Sequence, residues 1–129
     1  MATSSKTHPT GELAIQTIAM PADTNANGDI FGGWLVSQMD LAAGVIAKQR
    51  AGGRVTTVAI ESMVFHQPVG VGDIVCCYAD LIRVGRTSMT IDIEVWTIAA
   101  LTHSRQQVTG GRFIYVAIDE QGKPRAITE

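Results

Sequence analysis

The chain has 129 residues, enough for one domain with a modest core and too few for two. At 46% hydrophobic, 17% charged and a net charge of −2, it is not a disordered chain, and nothing in it suits nucleic acid or an anionic membrane. Charged residues are scarce for so small a domain, which points to surface covered by a second subunit.

Residues 1–11 are small and polar and read as a flexible tail ahead of a single domain over residues 12–129. The opening MATSSKTHPTGE has no apolar signal core, and no apolar run reaches transmembrane length, so the expected compartment is the cytoplasm. ELAIQTIAM (Glu12–Met20) alternates as a strand that Pro21 ends. PADTNANGD is a polar loop in which Asn25, Asn27 and Asp29 have the character of turn residues. From Gly32 to Ala51 there is no proline, helix formers dominate, and apolar side chains lie nearly all round until Lys48, which describes a buried helix.

After AGGR the period changes to two. VTTVAIESMVFH (Val55–His66) is a strand closed by QPVGVGD, and IVCCYADLIRV (Ile74–Val84) is the next, with a hairpin connection at Gly85-Arg86. TSMTIDIEVW alternates most cleanly of all. A loop at AALTHSRQ leads to the last strand, QVTGGRFIYVAID, where Gly110-Gly111 marks a bulge, a bend or a close approach by a ligand.

One strand, one long helix and four antiparallel strands make an α+β fold. A single small sheet face cannot cover a helix that is apolar all round. The sheet is therefore expected to wrap the helix and leave the remainder to a second copy, with Ala42, Ala43 and Gly44 permitting close backbone approach there. The adjacent Cys76 and Cys77 suit neither a disulfide nor zinc and read as strand packing. His8, His66 and His103 lack metal-ligand spacing, so no metal is expected, and His66 reads as a satisfied structural histidine.

The helix carries one carboxylate, Asp40, whose nearest basic residue along the helix is Lys48. An unpaired buried carboxylate is costly, so Asp40 is either a solvated helix residue or a functional group with a hydrogen-bonding task. The junction GDIFGGW puts Gly32 and Gly33 where a helix start presents unpaired N–H groups, suited either to tight packing or to an oxyanion. Seven residues at about 100° each return Asp40 to within roughly 20° of Gly33 on the helix face. There is no Gly-x-Ser-x-Gly elbow and no P-loop.

MPADTNANGDIFGGWLVSQMD, VTTVAIESMVF, PVGVGDIVCCYADLIRVGRTS, IEVW and the final YVAID with GKPRA closely resemble the YciA-type acyl-CoA thioesterases of the hotdog-fold superfamily. The likeness runs from about Leu13 to Ala126. It implies a hotdog sheet around the long helix, a dimer that assembles further into a trimer of dimers, and hydrolysis of CoA thioesters without metal or organic cofactor. It also implies that Asp40 is the catalytic carboxylate, and that Asn25 acts from the partner subunit. Two departures bear on CoA contacts or acyl selectivity: Thr109-Gly110-Gly111 where relatives often have Thr-Glu-Ala, and Gln67 where they often have Arg or Lys.

On this reading Asp40 is general base or nucleophile, and the N–H groups of Gly32 and Gly33 hold the oxyanion. With no P-loop, the CoA phosphates fall to surface cations, with Arg83, Arg86, Lys123 and Arg125 as candidates. The alternative is a non-catalytic acyl-CoA binder. A transcriptional sensor lacks a DNA-reading element, and a hotdog dehydratase would typically need a histidine on the helix or in the loop before it.

Overall fold

The computed structural model describes residues 6–128. In chain order the elements are β1 (Glu12–Ile18), a 3-10 turn at Pro21–Asp23, α1 (Gly32–Ala51), β2 (Val55–Phe65), β3 (Ile74–Val84), β4 (Ser88–Ile98) and β5 (Arg105–Ala117). The strands form one antiparallel sheet in the order β1-β3-β4-β5-β2. The strands on either side of the helix in the chain, β1 and β2, thus take opposite edges. The helix lies on one face and contacts all five strands. This is the α+β hotdog arrangement that the sequence implied.

Alternation builds the core. Met89, Ile91, Ile93 and Val95 of β4 are at most 1% exposed and form one cluster with Val75, Cys77 and Ala79 of β3 and Phe113 and Tyr115 of β5. Each large side chain so buried is worth about 1.5–3 kcal/mol relative to exposure. From the helix come Leu35, Met39, Ala42, Ala43, Ile46 and Ala47, at helical spacing.

This corrects one expectation. Ala42 and Ala43 are fully buried inside the protomer, and a Cβ on Gly44 would stand 3.4 Å from the Tyr115 hydroxyl. The small residues let the helix approach its own sheet. The large apolar side chains left open along the helix are Leu41 and Val45, at 58% and 39% exposure.

The glycine pair does mark a bulge. β5 runs through Gly110 and Gly111 without interruption, one bulge lies on β2 opposite Gly111, and a second irregularity follows beside Thr109. β2 carries extra residues between Glu61 and Val64, with Ser62 at φ 56°, while β5 shifts register between its partners of Val95 and Trp96. A Cβ on Gly111 would meet the Met63 Cε at 3.0 Å and the Met39 Cε at 3.6 Å, so two methionine side chains occupy the space a side chain would need.

On the face turned from the helix, Trp96 is only 2% exposed and its indole N–H donates to Glu94 at 2.9 Å. Residues of the leading segment reach the same carboxylate, through the Lys6 ammonium and the Thr10 N–H. No helix among the described residues is long and apolar enough to cross a membrane.

Candidate active site

Asp40 is half-buried in the middle of α1, where its carboxylate meets two hydroxyls. Thr57 Oγ1 donates to Oδ1 at 2.7 Å, and the Tyr115 hydroxyl bonds the same oxygen at 2.5 Å. The Tyr115 hydroxyl also stands 2.6 Å from the Asp40 main-chain oxygen. Thr57 and Tyr115 are directly opposed across the β2–β5 ladder, so both hydroxyls rise from one face toward the helix. Among the described residues no cation pairs with this carboxylate, and Oδ2 receives no hydrogen bond. The site therefore holds one carboxylate oxygen firmly and leaves the other open. Burial, reinforced by the bond to Asp40, pushes the Tyr115 phenol well above its ordinary range, so it stays a donor.

The helix start is left open. Phe31 is the N-cap and supplies no side-chain cap, although its carbonyl accepts the N–H groups of Trp34 and Leu35. The N–H groups of Gly32 and Gly33 make no hydrogen bond among the described residues. A Cβ on Gly33 would fall 2.5 Å from the Phe31 ring, so glycine is required for that ring to lie where it does. Asn25 is exposed and shapes its loop: Oδ1 accepts the N–H groups of Asn27 at 2.9 Å and Asp29 at 3.2 Å. Within one protomer no bond joins Asn25, Gly32 or Gly33 to Asp40. Gly33 and Asp40 stand about 10 Å apart along the axis at 1.5 Å per residue.

The four candidate CoA cations differ in their present partners. Arg125 donates from Nη2 to the Ala51 carbonyl at 2.8 Å and from Nε to the Ile118 carbonyl at 3.2 Å. Arg83, Arg86 and Lys123 are exposed, and their side chains make no bond among the described residues. Cys76 and Cys77 are buried free thiols, and burial pushes Cys77 up to about 12, far from a reactive thiolate. His66 differs from its expected satisfied state, since its buried Nδ1 has no partner among the described residues. No group of three His, Cys, Asp or Glu side chains is placed to hold a metal among the described residues.

Sequence reasoning missed Thr57 and Tyr115. Their signal is a hydroxyl on an otherwise apolar strand face: Val55, Thr57 and Ala59 in one strand, Phe113, Tyr115 and Ala117 in the other.

Residues 27–100, more than half of the chain and including Asp40 and Thr57, match the family model of the thioesterase superfamily. The chain is 54% identical over 128 residues to the acyl-CoA thioester hydrolase YciA of Escherichia coli, covering 95% of this chain and 97% of that protein. A solved hexameric thioesterase from Yersinia pestis is 54% identical with a TM-score of 0.91, covering 95% of this chain and 99% of that one. A hexameric broad-specificity acyl-coenzyme A thioesterase, solved as an Asp-to-Ala mutant enzyme, is 49% identical with a TM-score of 0.90, covering 93% and 88%. By sequence, by extent and by fold, the chain belongs to the thioesterase superfamily and, within it, to the YciA-type acyl-CoA thioester hydrolases.

Proposed function

We propose that this protein hydrolyses acyl-CoA to a free carboxylic acid and coenzyme A, with Asp40 as the working carboxylate. The observation that carries the role of Asp40 is its anchoring: Oδ1 is held by two hydroxyls, Oδ2 is open, and no cation among the described residues neutralises the carboxylate. As general base, the carboxylate takes a proton from water while the hydroxyl oxygen attacks the thioester carbonyl. The tetrahedral intermediate then expels the CoA thiolate, which recovers the proton. As nucleophile, the carboxylate displaces the thiolate to form a mixed anhydride, and water opens it in a second step. Both routes give the same products with the chain's own groups, and coenzyme A enters only as part of the substrate.

The N–H groups of Gly32 and Gly33 are the proposed oxyanion donors, which their lack of partners supports. Neither lies against Asp40 within one protomer, so the complete site is assigned to a subunit interface with Asn25 supplied by the partner. The proposed assembly is a homo-oligomer of dimers reaching a hexamer. Support comes from the hexameric relatives and from Leu41, Val45, Val58 and Ile60, which stand 58%, 39%, 55% and 45% exposed on α1 and edge strand β2. Arg83, Arg86, Lys123 and Arg125 are assigned to the CoA phosphates, the first three having unengaged side chains. Two free cysteines suit a reducing cytoplasm, which is the proposed location.

The deciding assay is thiol release from a panel running from acetyl-CoA to palmitoyl-CoA, with wild type beside Asp40→Asn. Turnover by wild type and its loss in a folded, assembled Asp40→Asn is the expected result. Binding of acyl-CoA with no thiol release would make the protein a carrier or sensor. Full turnover by Asp40→Asn would remove that residue from the chemistry.

A further inference from the structure

We propose that Tyr115 is a positioning residue for the reaction: its hydroxyl ties the Asp40 carboxylate down by Oδ1 and makes Oδ2 the oxygen that acts on water or thioester. The inference rests on the reading of Asp40 as the working carboxylate. Its geometry is specific. One hydroxyl spans the main-chain oxygen and the Oδ1 of the same residue, at 2.6 Å and 2.5 Å. An aspartate fastened to its own carbonyl in this way has lost its freedom about the side-chain bonds. Thr57 adds a second donor to Oδ1 and none to Oδ2, so the two hydroxyls orient the group and do not enclose it.

Tyr115 is well placed to do this without moving. Its residue is 4% exposed within the core, it pairs directly with Thr57, and Gly44 leaves the hydroxyl room that a side chain would narrow to 3.4 Å. Burial also keeps the phenol protonated, so the donor does not switch off at assay pH. A phenylalanine here would serve the packing equally well, and the hydroxyl is the part that packing does not explain.

The test is a double-mutant cycle on the assembled enzyme with Tyr115→Phe, Asp40→Asn and the double variant. Tyr115→Phe is expected to keep its assembly and its KM within about twofold while kcat falls roughly 10- to 100-fold, the scale of a carboxylate misplaced by about 1 Å. In the Asp40→Asn background the same change is expected to cost no further turnover, because Tyr115 acts through Asp40. Wild-type kcat in Tyr115→Phe beside an inactive Asp40→Asn would overturn the proposal. So would a full loss persisting in the Asp40→Asn background, which is the signature of a structural role. Full activity in Asp40→Asn would instead sink the assignment of Asp40, and this inference with it. A second measurement does not depend on the variant folding: a crystal structure of wild type with an S-(2-oxoalkyl)-CoA ketone analogue. Oδ2 as the carboxylate oxygen nearest the ketone carbon or its ordered water supports the proposal, and Oδ1 in that place overturns it.

Discussion

The two ends of α1 are finished in opposite ways. At the C-terminal end Gly52 adopts φ 69° and its N–H closes on the Lys48 carbonyl at 2.9 Å. Arg125 covers the Ala51 carbonyl, and Lys48 and Arg50 set positive charge in the last turn, where the helix dipole favours it. At the N-terminal end Phe31 offers no side-chain cap, no acidic residue lies in the first turn, and the N–H groups of Gly32 and Gly33 are unpaired among the described residues. A good cap is typically worth about 1 kcal/mol, so the N-terminal end forgoes stability that the C-terminal end collects. The lesson is a division of labour. One end anchors the helix to the segment around Ile118 and Arg125, and the other leaves two donors and a partial positive charge open, as the proposed oxyanion role requires.

Asp40 lies between those ends, and the largest effect is expected there. Asp40→Asn nearly preserves shape and should fold and assemble, yet lose on the order of 10²–10⁴ in kcat as a base, or more as a nucleophile. Steady-state thiol release on the folded variant measures this, and near-wild-type kcat would leave the open end of the helix with no chemistry to serve.

The next largest effect separates the ends from each other. Gly33→Ala drives a Cβ into the Phe31 ring at 2.5 Å, so either the ring or the helix start must shift. It is expected to lower kcat by roughly 10- to 100-fold through misplaced donors. Gly52→Ala forces a non-glycine residue to φ 69° with open space around it, costing about 1 kcal/mol of stability and leaving kcat alone. Thermal melting and kcat measured on both variants test the contrast. If Gly33→Ala lowers the melting temperature and spares kcat, the open end is only a packing solution.

Arg125→Ala probes the anchored end more directly. It leaves the Ala51 and Ile118 carbonyls without their donor, which is expected to cost about 1–3 kcal/mol of stability. Chemical denaturation reads this as a lower midpoint. An unchanged midpoint would mean that solvent replaces the guanidinium without loss.

Much of this contrast was visible in the sequence, and the unread part has a common cause. The bounds of α1 and β3 are marked by local punctuation, Gly32 and Gly52 around one and Gly-Asp and Gly85 around the other. The strand Ser88–Ile98 declares itself by alternation. Asp40 stood out as a lone carboxylate in an apolar helix. Its partners did not, because Thr57 and Tyr115 meet only through the β2–β5 register, across 58 residues of chain and a bulge. Arg125 was readable as a cation but not as a clamp on Ala51, since that contact depends on how the last segment returns past the helix. The direction of the small residues Ala42, Ala43 and Gly44 was misread for a similar reason. Their size predicts close approach, and only the packing reveals to what.

The smallest effect concerns the cations that remain unengaged. Arg83, Arg86 and Lys123 bond nothing with their side chains among the described residues, whereas Arg125 is held by two carbonyls. If the first three serve the CoA phosphates, Lys123→Ala and the Arg83→Ala/Arg86→Ala pair should each raise KM for acyl-CoA a few-fold at low salt. Exposed ion pairs are worth about 0.2–1 kcal/mol, which sets that scale. The rise should shrink at high ionic strength, where the Debye length falls to about 3 Å at 1 M, and kcat should hold. A KM unmoved at low salt in both the lysine and the arginine-pair variants would place the nucleotide away from this basic end. The groove beside Gly110 and Gly111, lined by Glu61, Ser62, Asp92 and Arg112, would then be the next surface to mutate.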